Sequence, residues 1–357
     1  MASKPTFHVP SGETAHVSII ETGMRMKDIT FGFLLAPPVA GLDTITIPGW
    51  SFLIQSSNGE KALFDLCFNP DRHTYPPGTW DFIKAAGSEI TGTKHVADVL
   101  KINNVDPAEI SSVIWSHHHW DHIGDPTTFP ITTEVVVGPG FKQAFLPGYP
   151  TQKDSYIEER FFEGRTLREI DFSTSSLKVG RFRALDFFGD GSFFLLDAPG
   201  HDWGHLNGLV RTTSNPDTFI FLGGDTVHHG GEIRPSPYIP LPNEVHFPLP
   251  GHILEQVDSV CPTGSQFRDL NVKRGRKPNQ PFLDPVLVVD MADAVDSINK
   301  AQDADAQSNI FFIFAHDASI QGVVDFFPLS ANEWKEKGWK EQHQWRFLAD
   351  FTPALTS

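Results

Sequence analysis

Short apolar runs bounded by turn-forming residues recur along the chain, and this pattern predicts a series of β-strands. In the first half, the runs are His16–Ile20, Ser51–Gln55, Lys61–Cys67, Ser111–Trp115 and Glu134–Val137. In the second half, they are Phe193–Asp197, Gly208–Arg211, Thr218–Leu222 and Asn309–Phe314. Asn58 and Gly59 separate two of the early runs and predict a hairpin turn, because this pair favours the backbone of a two-residue turn.

Helix-like spacing of apolar residues occurs between the strand runs. The segments with this spacing are Trp80–Ala86, Lys94–Asn103, Met291–Gln302 and Ala331–Trp339. Strands in two clusters separated by helices predict two sheets with helices outside them. The expected fold class is therefore α/β.

One long segment departs from this alternation. Residues 227–284 are rich in proline and glycine and show little periodicity. An irregular segment of this length inside a compact domain usually serves function, and no second core follows it. We therefore expect one domain over residues 1–357, with an N-terminal arm (1–15), an insertion near the active site (227–284) and a C-terminal extension (331–357).

Composition and charge narrow the range of partners. The chain has 357 residues and a formal net charge of −16, which argues against nucleic acid or an anionic membrane as the main partner. Its two cysteines, Cys67 and Cys261, give no disulfide framework and no cysteine zinc cluster. Because the sequence shows neither a signal peptide nor an apolar run long enough for a membrane span, we expect a cytoplasmic protein.

The most informative stretch is residues 116–122, Ser-His-His-His-Trp-Asp-His. It places four possible metal ligands within six positions: His117, His119, Asp121 and His122. Imidazole nitrogens and carboxylate oxygens are the ligands that Zn²⁺ accepts. A solvated polar loop is the alternative, but no fold requires four such groups to lie together. The stretch therefore predicts a metal-binding loop at the end of the strand that precedes it.

Three further candidate ligands repeat this placement. His201, Asp225 and His316 each follow a run that is predicted to be a buried strand. Any one of them alone could be an ordinary loop residue. The recurrence of a strand followed by a polar ligand favours a shared metal site at one edge of the fold.

In combination these motifs resemble those of the metallo-β-lactamase superfamily, over roughly residues 17–317. A closer resemblance is to a fungal and bacterial branch near the lactonases of that superfamily. The residues that carry it are Asp225–Glu232, Arg234–Ser236, Ala315–Asp317, Asp325–Pro328 and Trp334–Trp339. The resemblance implies an αββα sandwich with a two-metal site on its edge, here with an irregular, proline- and glycine-rich insertion beside it.

The resemblance also implies a ligand set for two divalent ions, with zinc the expected metal. His117, His119 and His201 would hold one ion, and Asp121, His122 and His316 would hold the other. Asp225 would bridge the two ions. In such loops His118 and Trp120 point away from the metals as packing residues, while His205 and His229 are expected to support the ligands rather than to bind metal.

Two catalytic residues are expected beyond simple metal binding. Asp121 can orient a metal-bridging hydroxide and carry its proton to the leaving group. In similar lactonases a tyrosine lies three residues after the bridging aspartate and contacts the substrate carbonyl. Here that position is His228, so the role either passes to this histidine or is absent.

The expected activity is hydrolysis of a cyclic ester or amide, as by a lactonase or lactamase. A thioesterase of the glyoxalase II or polyketide type shares the whole ligand set and remains the main alternative. A mononuclear iron persulfide dioxygenase would use fewer of these ligands, a redox di-iron protein would carry glutamate in place of His119, and a nuclease would need a basic surface. A binding module without catalysis would not need metal ions with a coordination position left open for water.

The aromatic content favours a small apolar or aromatic substrate, since the chain has 30 Phe and 8 Trp. We expect the insertion to form the wall of the substrate pocket and to set substrate choice. The apolar residues expected in this wall are Tyr238, Ile239, Leu241, Phe247 and Leu249.

Overall fold

The computed structural model describes residues 3–245 and 262–355, which form two large sheets flanked by helices. The first sheet has seven strands. In spatial order they are β5 (Glu89–Thr91), β1 (His16–Thr30), β3 (Thr44–Gln55), β4 (Lys61–Phe64), β6 (Ile110–Ile114), β7 (Glu134–Val137) and β8 (Leu167–Glu169). The side from β5 to β4 is antiparallel, and β4, β6, β7 and β8 run parallel to one another.

The second sheet has six strands. They are β15 (Ile310–Ile313), β13 (Thr218–Leu222), β12 (Leu206–Thr213), β11 (Phe193–Asp197), β10 (Phe182–Asp186) and β9 (Lys178–Val179). Only the pairing of β13 with β15 is parallel in this sheet. A separate two-stranded ribbon joins β2 (Leu35–Ala36) to β14 (Asp284–Pro285).

The helices of the described residues are mostly short. They are α1 (Phe31–Leu34), α2 (Pro77–Ala86), α3 (Val96–Ile102), α4 (Trp120–Ile123), α5 (Phe141–Phe145), α6 (Gly230–Ile233), α7 (Gly264–Lys273), α8 (Met291–Asp305) and α9 (Trp339–His343). A 3₁₀ segment at Arg346–Leu355 follows α9. Within the two described ranges, no helix has the combination of length and apolar character needed to cross a bilayer.

The sheets pack face to face because successive side chains of each strand point to opposite sides. In β6, Ile114 faces a core shared by the two sheets, whereas Val113 faces a second core beside α3 and α5. In β13, Ile220 joins the shared core, and Phe221 faces a third core against α8. The layers are therefore helix, sheet, sheet and helix, and the predicted αββα sandwich is confirmed.

Several predicted strands have the bounds expected from the sequence. The predictions for β7, β11 and β13 agree with the structure at both ends. The hairpin turn between β3 and β4 is also present, with Gly59 at a φ of 87°. These segments have strongly apolar patterns and clear turn residues, so local signals and tertiary packing favour the same structure.

The predicted helix at Ala331–Trp339 is wrong. Turns occupy most of this segment, and the helix begins at Trp339 instead. Trp334 is buried and stacks on Phe311 at 5.5 Å between ring centroids. The Asn332 amide donates to the carbonyls of Ala15 and Thr212, and its oxygen accepts the backbone N–H of Val17. These contacts with the sheets take the place of a regular helix.

The described part of residues 227–284 includes α6 and α7 and packs into the protein. Leu241, Phe267 and Leu270 belong to a buried cluster with Phe347 and Phe351 of the C-terminal segment. Phe247, Leu249 and Cys261 lie outside the described residues.

A buried ion pair fastens α6 to α8. Nε and Nη2 of Arg234 donate to the two carboxylate oxygens of Asp305, both at 2.7 Å, and both side chains are almost fully buried. Burial opposes ionisation of Asp305, but the adjacent Arg234 guanidinium holds the pKa of this carboxyl below its usual range.

Replacing Asp305 by alanine should lower the free energy of unfolding by about 3–5 kcal/mol, because it leaves a buried guanidinium without its partner. Urea denaturation of the two proteins measures this difference. Asp81→Ala is the matched control, since Asp81 pairs with Lys84 at the surface, where both side chains are largely exposed. Equal effects of the two substitutions would contradict the importance of the buried pair.

Candidate metal centre

The candidate ligands converge at one edge of the sandwich. The loop with His117, His119, Asp121 and His122 follows β6, and its last two ligands lie on α4. The other three ligands follow the ends of β11, β13 and β15; they are His201, Asp225 and His316. All seven are in the described part of the chain, and the structure brings them together.

Asp225 lies between two groups of histidines. Its Oδ1 is 3.2 Å from Nε2 of His122 and 3.2 Å from Nε2 of His316. Its Oδ2 is 3.7 Å from Nε2 of His117 and 3.6 Å from Nε2 of His201. The two carboxylate oxygens therefore face different sets of nitrogen atoms.

Each set has further candidate ligand atoms. In the first, Nε2 of His201 lies 3.2 Å from both Nε2 of His117 and Nδ1 of His119. In the second, Asp121 Oδ2 lies 3.4 Å from Nε2 of His316. The ligand atoms of each set lie within 4.8 Å of one another, which is compact enough to surround one ion.

The outer ring nitrogens are held by hydrogen bonds. Nδ1 of His201 donates to the carbonyl of Leu287 (3.0 Å), and Nδ1 of His316 donates to the carbonyl of Pro48 (2.7 Å). These bonds assign the hydrogen to Nδ1 and leave the lone pair of Nε2 directed toward the centre of the site. A ring held in this way is oriented for metal binding.

The chemistry of the donor set fits divalent cations. Among the described residues, Nε2 of His122 and Oδ1 of Asp225 are buried and make no regular hydrogen bond. Nitrogen lone pairs of neighbouring rings also face one another at 3.2 Å in the first set. Buried polar atoms are normally satisfied, and a cation among these donors would satisfy all of them at once.

Comparison with known proteins identifies the family of this chain. A family profile described as the metallo-beta-lactamase superfamily matches residues 46–260. A relative named gamma-lactamase FDB1, from Fusarium pseudograminearum, is 42% identical over 98% of this chain and 86% of its own length. The chain belongs to the metallo-β-lactamase superfamily. The prediction of a hydrolase of this superfamily is thereby confirmed.

Other similarities are of two kinds. The cytochrome P450 monooxygenase mpaDE of Penicillium roqueforti is 38% identical over 97% of this chain, but this chain spans only 38% of that protein's length. A crystal structure of a quorum-quenching N-acyl homoserine lactone hydrolase superposes with a TM-score of 0.56 at 15% identity, covering 90% of this chain and 100% of that chain. At this identity the superposition shows a shared fold.

Burial favours the neutral form of the histidines in the first ligand group. It lowers the pKa of His117 and of His201 well below the usual value, and lowers that of His119 to about 3. His122 differs, because the Asp225 and Asp65 carboxylates outweigh its burial and raise its pKa. Neutral imidazoles are the form that binds metal, so the first set is ready to do so at neutral pH.

Asp65 is a supporting residue that sequence reasoning missed. Its carboxylate accepts Nδ1–H of His122 (2.8 Å), the backbone N–H of Ser116 (2.7 Å) and the Ser116 hydroxyl (2.9 Å). It lies one residue beyond the end of β4. The signal used for the other ligands, a polar residue directly after an apolar strand, did not indicate Asp65 because the predicted strand continued to Cys67.

His118 and Trp120 both pack against aromatic side chains, and His118 also makes a polar contact. The His118 ring stacks on Phe145 at 4.0 Å between centroids, and Trp120 is buried against Tyr75. Nδ1 of His118 also donates to the carboxylate of Asp202, an interaction that the sequence did not indicate.

His205 and His229 take different positions around the site. The backbone N–H of Asp225 donates to Nε2 of His205 (2.9 Å), whose Nδ1 donates to the carbonyl of Ala198 (3.1 Å). His205 therefore fixes the backbone that carries Asp225. His229 points toward the C-terminal segment, where its Nε2 lies 3.1 Å from Asp350.

His228 lies directly beside the centre. Its Nε2 is 3.3 Å from Oδ2 of Asp225, and its ring lies parallel to that of His316 at 6.2 Å. Within the described ranges, neither ring nitrogen has a hydrogen-bond partner, although the side chain is buried. Apart from the contact between Nε2 and Asp225, the ring nitrogens are available to a bound molecule.

An aromatic cleft of about 270 Å³ opens beside His119. Its wall includes Phe82, Phe145, Tyr156 and Trp203, and the last two are partly exposed to solvent. A smaller apolar space leads to Asp121, Asp225 and His228. The larger cleft adjoins this space at Phe82, His119 and Trp120, so an apolar surface lies beside the centre.

The predicted pocket wall from the insertion is wrong for Leu241. This residue is buried in the core with Phe267 and Phe347 rather than exposed to the cleft. Tyr238 and Ile239 are likewise not among the residues that line the cleft. The described part of the cleft comes instead from the segments around α2, α5 and the loop after β11.

Replacing His205 by glutamine should reduce the acid sensitivity of the metal-free protein. Burial lowers the pKa of His205 to about 4 from 6.5. Between these two pH values the unfolded chain binds a proton on this ring and the folded chain does not, so the free energy of unfolding falls as the pH is lowered. In the variant, the slope of the unfolding free energy against pH should decrease by an amount that corresponds to at most about one proton.

The measurement is urea unfolding of metal-free wild type and variant between pH 6.5 and 4. Glutamine keeps an acceptor and a donor but does not titrate in this range. Identical pH slopes for the two proteins would show that His205 is not the group responsible.

Proposed function

We propose that this protein is a metal-dependent hydrolase that opens a small lactam or lactone. The observation that carries the proposal is the division of the ligand set by Asp225, whose two oxygens face separate groups of histidine nitrogens. The relative named gamma-lactamase supports a cyclic amide as substrate, since it aligns with almost the whole chain.

The proposed ligands of the first ion are His117, His119 and His201, which lie together on one side of Asp225. Those of the second ion are Asp121, His122 and His316, and Asp225 contributes an oxygen to each group. Zinc is the expected metal because the donors are imidazole nitrogens and carboxylate oxygens. When bound, two such ions supply Lewis acidity and lower the pKa of a shared water.

Asp121 is the proposed carrier of the proton. Hydrolysis adds one water across the C–N or C–O bond, so a proton of the attacking water must reach the leaving nitrogen or oxygen. Asp121 Oδ2 lies 3.4 Å from Nε2 of His316 and lines the space that leads to the centre. A carboxylate in this position can accept the proton and release it to the leaving group.

His228 is the proposed contact for the substrate carbonyl. The residue replaces the tyrosine expected from similar lactonases, and its two ring nitrogens have no hydrogen-bond partner among the described residues. It lines the same space as Asp121 and Asp225. A donor N–H at this position would stabilise the negative charge that develops on the carbonyl oxygen.

The aromatic cleft is the proposed subsite for the part of the substrate beyond the scissile bond. Phe82, Phe145, Tyr156 and Trp203 offer an apolar surface beside His119, which suits a small apolar or aromatic molecule. The cytoplasmic location expected from the sequence stays a prediction.

Protein reconstituted with zinc should bind two ions per chain and should hydrolyse members of a lactam and lactone panel. Removing the metal with a chelator should abolish the activity, and adding zinc should restore it. Asp225→Ala should lose both ions and the activity, because its carboxylate is shared between the two groups. Elemental analysis and a kinetic panel measure these effects.

Activity confined to thioesters would instead favour the glyoxalase-type alternative. Activity that requires a single iron and consumes oxygen would favour a persulfide dioxygenase. Fewer than about one bound equivalent after zinc reconstitution would contradict the two-ion site.

Replacing Tyr156 or Trp203 by alanine should raise KM about 10-fold or more with metal content unchanged, because each substitution removes apolar contact area from the wall of the cleft. Tyr238→Ala is the matched control, since Tyr238 does not line the cleft. The kinetics are measured with one substrate under the same zinc concentration. A larger effect of Tyr238→Ala than of the other two substitutions would assign the pocket to the insertion instead.

A further inference from the structure

Two of the proposed ligands share a local pattern. His201 and His316 are each followed by an aspartate, Asp202 and Asp317. Both carboxylates are almost completely buried, and each pairs with a histidine that is not a proposed ligand. The same pairing therefore occurs once beside each of the two ligand groups.

The first pair joins the two sheets. Asp202 follows β11 in the second sheet, and its Oδ2 accepts both Nδ1–H and the backbone N–H of His118 (the latter at 3.3 Å). His118 lies between His117 and His119 in the loop that follows β6 of the first sheet. One carboxylate oxygen thus ties together the two loops that carry the first ligand group.

The second pair joins the C-terminal segment to the other ligand group. Nε2 of His343, at the end of α9, donates to Oδ2 of Asp317 (2.7 Å). The other oxygen of Asp317 accepts the backbone N–H of Ser319 (3.0 Å), and its carbonyl accepts Nε1–H of Trp50 (3.0 Å). Asp317, the residue directly after His316, is therefore fixed by three hydrogen bonds.

We propose that Asp202–His118 and Asp317–His343 are positioning pairs, one for each metal position. Each fixes the backbone beside a ligand and so limits the directions that the ligand nitrogen can take. The inference rests on the ligand set of the proposed function. It assigns control of the first ion to Asp202 and His118, and control of the second ion to Asp317 and His343.

A third pair of the same type provides the control. His229 and Asp350 lie 3.1 Å apart, but the Asp350 side chain is 52% exposed. Asp350 does not neighbour a proposed ligand in the sequence. Removing its charge should therefore leave both metal positions unchanged.

The test compares Asp202→Asn, Asp317→Asn and Asp350→Asn in the full chain. Each protein is equilibrated in buffers of defined free zinc, and anomalous diffraction from crystals gives the occupancy of each position. Asp202→Asn should raise the zinc concentration needed to fill the first position by about 10–100-fold, the usual size of the effect when a residue that supports a metal ligand is replaced. The zinc concentration needed to fill the second position should not change. Asp317→Asn should do the reverse, and Asp350→Asn should shift neither.

If a single variant fails to fold, the double variants Asp202→Asn/His118→Phe and Asp317→Asn/His343→Phe serve instead, because they leave no buried histidine without its carboxylate partner. A parallel loss at both positions, or no loss at either, would overturn the inference. Wild-type protein that binds fewer than about one equivalent of zinc after reconstitution would contradict the two-ion site of the proposed function, a result that is separate from the comparison of the variants.

Discussion

One buried carboxylate organises the active edge of this protein. Asp225 lies between two groups of imidazoles, and each of its oxygens faces one group. Charges are costly to bury unless they are paired, and so are clustered lone pairs. The surrounding structure reduces this cost by holding the outer ring nitrogens with backbone carbonyls and with Asp65. The four strand ends that meet here must therefore keep a fixed spacing.

The sandwich provides that spacing. β6 belongs to the first sheet, whereas β11, β13 and β15 belong to the second, so the site depends on how the two sheets pack. The shared core contains tightly packed residues such as Ile114 and Ile220. Because packed interiors resist deformation, this core keeps the distance between the two sheets constant.

Much of this could be predicted from sequence, for identifiable reasons. Strands such as β11 and β13 have continuous apolar patterns, so local preference and burial agree. The seven candidate ligands follow such strands, and their spacing in the chain made them recognisable. Asp65 was missed because it stands within the longer run Lys61–Cys67, which was predicted to be one strand.

The errors arose where distant contacts decide the structure. Residues 331–338 have a helical pattern, yet Asn332 bonds to Ala15 and Thr212, more than a hundred positions away, and Trp334 stacks on Phe311 of β15. The role given to the insertion failed at Leu241 for the same reason, since its partners Phe347 and Phe351 lie far along the chain. The periodicity of apolar residues reflects only neighbours in the sequence, so it cannot predict contacts with residues far along the chain.

The position of the C-terminal segment affects the order in which contacts can form during translation. His343 and Trp334 contact residues of the loop after β15 and of β15 itself, and Asn332 bonds to both sheets. During translation, a chain that has emerged only as far as Ile313 possesses every strand but lacks these contacts. The contacts of His343 and Trp334 that support the segment around His316 can therefore form only after the strands of both sheets have been synthesised.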